Sequence, residues 1–153
     1  MATEDRRRIL VPLDGSRLAE LALSEARVLA QPGSEVILLQ VVAPIEDVIA
    51  MDGDEFTIDE QWERRKIQSE QYLRGVASRP EWRGVNTRVA VEMGKPADTI
   101  LDFASKQNVD YIVMTTHGRT GLSRWVYGSV ADKLLHAADR TVVLVRAGHS
   151  PDG

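Results

Sequence analysis

The stretch richest in groups that could do chemistry runs from Thr115 to Ser129. Gly118, Gly121 and Gly128 allow backbone conformations denied to other residues and let a ligand come close to the main chain. Arg119 and Arg124 bring positive charge, His117 offers a ring to a phosphate, and no acidic residue intervenes. Gly128-Ser129 is expected where the next helix begins, with Val130 following; free N–H groups and the helix dipole favour an anion there. Ser129 would then cap the helix or give its hydroxyl to a phosphate. These types at this spacing suit a phosphate cradle. They would serve a structural turn equally well, and His117 would serve equally as a hydrogen-bonded loop residue, so both readings stand at this point.

A second candidate is the exit of the first apolar run, Pro12-Leu13-Asp14-Gly15-Ser16. Asp14 there either meets a ligand or holds the turn, a common role for aspartate. Ser16 reads as a helix cap, since no acid–base partner can be assigned to it. No catalytic set emerges. The G-x-x-x-x-G-K-[ST] loop is missing, and no G-x-G-x-x-G follows the first strand. The three histidines lack a metal-ligand spacing. Between Ala43 and Glu60 lie Glu46, Asp47, Asp52, Asp54, Glu55, Asp59 and Glu60 with no basic residue, but not in the register of a calcium loop. That segment, about 43–57, reads as a solvated, mobile loop.

Composition narrows the classes. The 153 residues are 43% apolar, enough for one core in one domain spanning 1–153. With 19 basic and 23 acidic residues the net charge is −4, against a dedicated nucleic-acid binder. Arg6-Arg7-Arg8 reads as a solvated run. The chain has no cysteine, which excludes disulfides, thiolate metal sites and a cysteine nucleophile. No apolar run approaches the ~18 residues of a membrane span, and the polar N-terminus does not read as a secretory signal. A cytoplasmic protein is expected.

The elements that must position these residues alternate. Ile9–Leu13 and Val36–Val42 are almost wholly apolar, as strands covered on both faces must be. Between them Leu18, Ala22, Ala26 and Leu29 recur at helical spacing, and Pro32-Gly33 ends that helix. A helix is expected from about Ile58 to Ala77 with Trp62, Ser69, Leu73 and Val76 inward. Val85 to Glu92 alternates with period two, a strand near a sheet edge. Pro96 opens a further helix with Ala97, Ile100, Leu101 and Ala104 on its apolar stripe. Tyr111–Met114 is the fourth strand, a loop spans His117 to Tyr127, a helix runs from about Ser129 to Ala138, and Thr141–Val145 is the fifth strand. Five strands and four helices in alternation predict a doubly wound α/β sheet. The pattern does not fix the strand order. An order of 3-2-1-4-5 would place the topological reversal between strands one and four, beside both candidate segments.

With these residues in view, the chain from about Arg8 to Arg146 resembles a universal stress protein. The opening Ile-Leu-Val-Pro-Leu-Asp-Gly-Ser16 and the run Val-Ile-Leu-Leu-Gln-Val-Val42 match the family's pattern. So does most of G-x2-G-x9-G-[ST], with Gly118, nine residues, then Gly128-Ser129; Thr115 stands at the first glycine position. The resemblance implies a Rossmann-like parallel sheet of order 3-2-1-4-5 and ATP or AMP at the switch point, with Mg2+ carried on the phosphates of ATP. Pro12 and Leu13 would border the adenosine, Asp14 its adenine–ribose side, and backbone groups of Val41 the adenine edge. Met114 and Thr115 would line the ribose. Gly118, Gly128, Ser129 and Val130 would hold the phosphates beside His117 and Arg119. Thr115 either crowds the nucleotide or offers its hydroxyl to a ribose oxygen. The resemblance also implies a homodimer through the last strand, Thr141 to Val145, whose apolar edge would otherwise stay unpaired. The expected function is nucleotide binding in a stress-response sensor or signalling module. A slow Mg-dependent ATP hydrolase and a ligand-free dimeric interaction protein are the alternatives.

Overall fold

The computed structural model describes residues 6–44, 57–116 and 123–146, the stretch 123–128 by its backbone alone. The strands are β1 (Arg8–Leu13), β2 (Glu35–Val42), β3 (Asn86–Met93), β4 (Tyr111–Thr116) and β5 (Thr141–Arg146). The helices are α1 (Ala22–Leu29), α2 (Ile58–Ala77), α3 (Pro96–Lys106) and α4 (Ser123–Ala137). All strand pairs are parallel and the order is β3-β2-β1-β4-β5, as the resemblance implied. The acidic segment expected to form a loop falls mostly outside the described residues. It leads into α2, which opens on a reciprocal cap: Thr57 Oγ1 accepts from the Glu60 amide at 3.2 Å while the Glu60 carboxylate accepts from the Thr57 amide.

Each face of the sheet packs its own helical layer. Ile9, Val11, Val36, Leu38 and Val113 point to one side and meet Ala22 and Ala26 of α1 and Leu73 and Val76 of α2. Leu10, Ile37, Leu39 and Ile112 point to the other and meet Ile100, Phe103 and Ala104 of α3 and Leu134 of α4. This is why β1 and β2 carry nearly unbroken apolar runs: alternate side chains go to opposite cores, and neither face is wet.

The sheet splits where its order reverses. β1 stays in register with β2 through Leu13↔Gln40, and β4 with β5 through Thr116↔Arg146. The β1–β4 register holds only Ile9↔Tyr111 and Leu10↔Ile112. Pro12 sits just past that point, and a proline in a central strand is tolerated where one side of the ladder opens.

Two local expectations need correction. The segment after β1 is a 3-10 turn (Ala19–Leu21) that passes into α1, rather than one helix. More consequential, α4 begins at Ser123 and not near Ser129, so Gly128-Ser129 lies within the helix. Their N–H groups face carbonyls four residues back instead of standing free. One interior glycine costs a helix only about 1 kcal/mol, too little to fix its start.

Candidate functional site

The opening between β1 and β4 forms a hollow of about 220 Å3. Pro12, Leu13 and Asp14 from the β1 exit, Met114 and Thr115 from β4, Val41 from β2 and Val130 from α4 all line it. Adjacent residues of one strand reach it from opposite faces, as with Met114 and Thr115, because the hollow sits across the sheet's end. The walls are mostly apolar, suited to a flat ring more than to an ion.

The polar groups on its rim are held in place. Thr115, only 9% exposed, donates its hydroxyl proton to the Ala19 carbonyl at 3.1 Å. That single proton is therefore committed, and toward a ribose the hydroxyl can only accept. Asp14 Oδ1 accepts from both the amide and the hydroxyl of Ser16, and Ser16 Oγ accepts from the Ala19 amide at 3.1 Å. Asp14 thus fulfils the turn role, with Gly15 at φ 88° making the bend, while still lining the hollow. Ser16 caps the turn toward α1, as its type suggested.

A second layer clamps that turn. Tyr72 of α2 donates to Glu20 at 2.7 Å, and Arg79 meets the other Glu20 oxygen at 2.6 Å. Burial works against the Glu20 charge, but the Tyr72 hydrogen bond and the Arg79 guanidinium outweigh it and hold the carboxyl below its usual range. Burial, then Glu20 itself, pushes the Tyr72 hydroxyl well above its ordinary value.

Of the residues singled out from sequence, Pro12, Leu13, Asp14, Val41, Met114, Thr115 and Val130 share one cavity. Gly128 and Ser129 lie one and two residues before Val130 within α4, which corrects their expected place at a helix start. His117, Gly118 and Arg119 fall outside the described residues. Sequence reasoning missed Leu18, Ala19, Pro96 and Ile100, which complete the walls. Leu18 and Ile100 were readable only as core positions of helical stripes, and nothing in their spacing marks the cavity end. Among the described residues, no group of His, Cys, Asp and Glu side chains is placed to hold a metal ion, and no helix is long and apolar enough to cross a membrane.

A five-stranded, doubly wound parallel sheet with a crevice at the carboxyl ends of its reversal defines a class of α/β ligand-binding domains. Comparison places the chain within that class. Residues 5–146 match the model of the Universal stress protein family, and the chain belongs to that family. It is 32% identical over 145 residues to the universal stress protein MJ0531 of Methanocaldococcus jannaschii, covering 92% of this chain and 82% of that one. The solved structure of MJ0577, also from M. jannaschii, superposes with a TM-score of 0.77 at 26% identity, covering 94% of this chain and 98% of that one. A universal stress protein in complex with cAMP shares the fold, with a TM-score of 0.64 at 18% identity and coverage of 91% and 95%.

Proposed function

We propose that this protein binds an adenine nucleotide, ATP or AMP, in the β1–β4 crevice and works in the cytoplasm as a stress-response sensor or signalling module. The observation that carries the reading is the apolar hollow at the switch point, walled by Pro12, Leu13, Val41, Met114 and Thr115 with Asp14 at its rim. A purine and its ribose match that lining, since flat apolar walls with a few fixed polar groups at the edge are what such rings require. The family's fold holds cAMP in another member, which supports the same class of ligand here. The phosphates would extend toward His117, Gly118 and Arg119. Mg2+ would come in on the phosphates of ATP, which supply its oxygen ligands.

The helix running through Gly128-Ser129 favours one competitor, an interaction protein that needs no ligand, because it takes away two amides expected to face phosphate. One experiment separates them. The purified protein is denatured, its supernatant resolved by anion exchange, and the refolded or apo protein titrated with AMP and ATP·Mg2+. Co-purified adenine nucleotide, or saturable binding of either, supports the crevice reading. An empty supernatant with no binding at millimolar nucleotide overturns it in favour of the interaction protein.

A homodimer through β5 belongs to the same proposal. β5 ends the sheet, and Val142 to Val145 remain only half buried along it. Pairing with the same strand of a second copy about a two-fold axis would satisfy that edge. Sedimentation at micromolar concentration should show a dimer; a monomer alone would refute this part.

A further inference from the structure

The sheet ends on β3, and among the described residues no strand lies beyond it. Its eight residues keep an unbroken register with β2, from Glu35↔Asn86 to Val42↔Met93, with no bulge and no proline to blunt the edge. The Gly94 amide donates to the Val42 carbonyl at 3.0 Å, which sets the parity of the strand. In a parallel pair alternate residues turn both backbone groups toward the neighbour, so the even-numbered residues of β3 face β2. Thr87, Val89, Val91 and Met93 therefore turn their N–H and C=O groups outward, to the open edge.

β3 carries two charged side chains, Arg88 and Glu92, on the same face as Ala90. Neither is used up within the chain. Arg88 gives Nη2 to Glu35 at 3.1 Å and to Gln107 at 2.7 Å, while its Nε and Nη1 bond no described residue. Glu92 forms no ion pair with a described residue, and Lys106 bonds Asp102 at 2.8 Å instead. An antiparallel copy of β3 must set outward-facing residues opposite outward-facing ones, so a two-fold axis relating the copies passes through a residue and not between two. Only an axis at Ala90 opposes Arg88 to Glu92 of the second copy, and it does so twice. The same axis sets Val89 against Val91 and Thr87 against Met93, the pairs that exchange hydrogen bonds. Ala90 then faces its own copy at a non-hydrogen-bonded position, where side chains come closest and a small one fits.

We propose that β3 is a self-docking edge: two copies of this chain pair through it, antiparallel, about a two-fold axis at Ala90. The occupant is a second copy because the charges complement themselves. A strand guarded against association would meet its own copy with like charges, and this one meets it with opposite charges. The interface is separate from the crevice and from β5 and depends on neither reading. β5 ends the sheet on the other side, so a chain that pairs at both edges extends into an open array rather than closing.

The chain has no cysteine, so single introduced ones report the register. Facing Ala90 positions come within about 4.5 Å between Cα atoms, a spacing that a disulfide spans. Ala90→Cys, oxidised mildly at about 100 μM to populate even a weak pairing, should run as a covalent dimer on a non-reducing denaturing gel. Met93 is more exposed than the half-buried Ala90, but its register partner is Thr87, so Met93→Cys should cross-link about tenfold less. Adding Glu92→Arg to Ala90→Cys sets arginine against Arg88 at both pairs and should cut cross-linking about tenfold. Adding Arg88→Glu as well should restore it, since the exposed ion pair with Glu35 that is lost contributes little. Circular dichroism checks that each variant is folded. Equal yields from the two cysteine variants, or a yield that ignores the charge exchange, overturns the proposal. Pairing at β5 alone would give that overturning result, because it leaves both cysteine positions at the far edge of the sheet.

Discussion

Replacing Thr115 by valine isolates the hydrogen bond that ties β4 to the turn after β1. The substitution preserves the branched shape and removes only the hydroxyl, whose proton reaches the Ala19 carbonyl at 3.1 Å. The size of the loss depends on what becomes of that carbonyl. It also accepts from the Ala22 amide, so it is not left bare. The penalty for an unsatisfied buried acceptor therefore does not apply, and only the net worth of one hydrogen bond is lost, about 1 kcal/mol. For a chain of this length that lowers Tm by about 2–4 °C. Denaturation in urea, read by circular dichroism on wild type, Thr115→Val and Thr115→Ser, measures it. The serine variant keeps the bond but loses a methyl from the packed wall, so its loss has a different origin. Valine equal to or more stable than threonine would show that the bond contributes nothing and that the crevice wall is held by packing.

Three further outcomes follow from the geometry. Because the folded pKa of Glu20 is lowered, its contribution is present above the ordinary 4.5 and is lost as pH falls through the folded value. Glu20→Gln should then cost about 1 kcal/mol at neutral pH, and the gap should narrow as the pH falls below 4.5; a gap that stays constant as the pH falls in urea titrations contradicts the clamp. Gly94, between β3 and α3, has φ 155°, and a Cβ there would collide with Thr99 Oγ1. Gly94→Ala should destabilise by about 1–3 kcal/mol, and Thr99→Ala should recover the collision part alone; full recovery would mean the backbone is unstrained. Gly128→Ala should stabilise by about 0.5–1 kcal/mol if the helix runs through it, whereas a loss of stability by the same assay would return the helix start to Ser129.

The architecture was legible because it depends on what each strand must bury. Ile9–Leu13 and Val36–Val42 lack a polar face, which only a sheet covered on both sides explains, and Val85 to Glu92 alternates as an edge strand does. The helix over 58–77 was also readable, down to the inward Ser69, Leu73 and Val76. The start of α4 was not, because a glycine can end a helix or be carried inside one at modest cost, and local sequence does not choose. The turn from Asp14 to Ala19 was half legible: the Asp and Ser types announce capping, but their tie to Thr115, some hundred positions on, exists only through the fold. The same limit hid Glu20, Tyr72 and Arg79, which look like solvated helix charges until the turn and α2 are packed together.

That limit has a physical pattern, and it bears on how the site works. Residues whose role is burial declare themselves by periodicity, since each carries its own free energy of transfer. Residues whose role is a hydrogen bond to a distant part of the chain declare little, since their worth depends on a partner that the fold supplies or withholds. Gln40 is the extreme case. One polar residue in an apolar strand reads as an imperfection, and only three-dimensional packing shows a buried amide oxygen with no donor. Thr115 is the opposite case: at a position where the resemblance leads one to expect glycine, its hydroxyl has a protein partner and adds rigidity to the wall rather than a donor to the cavity.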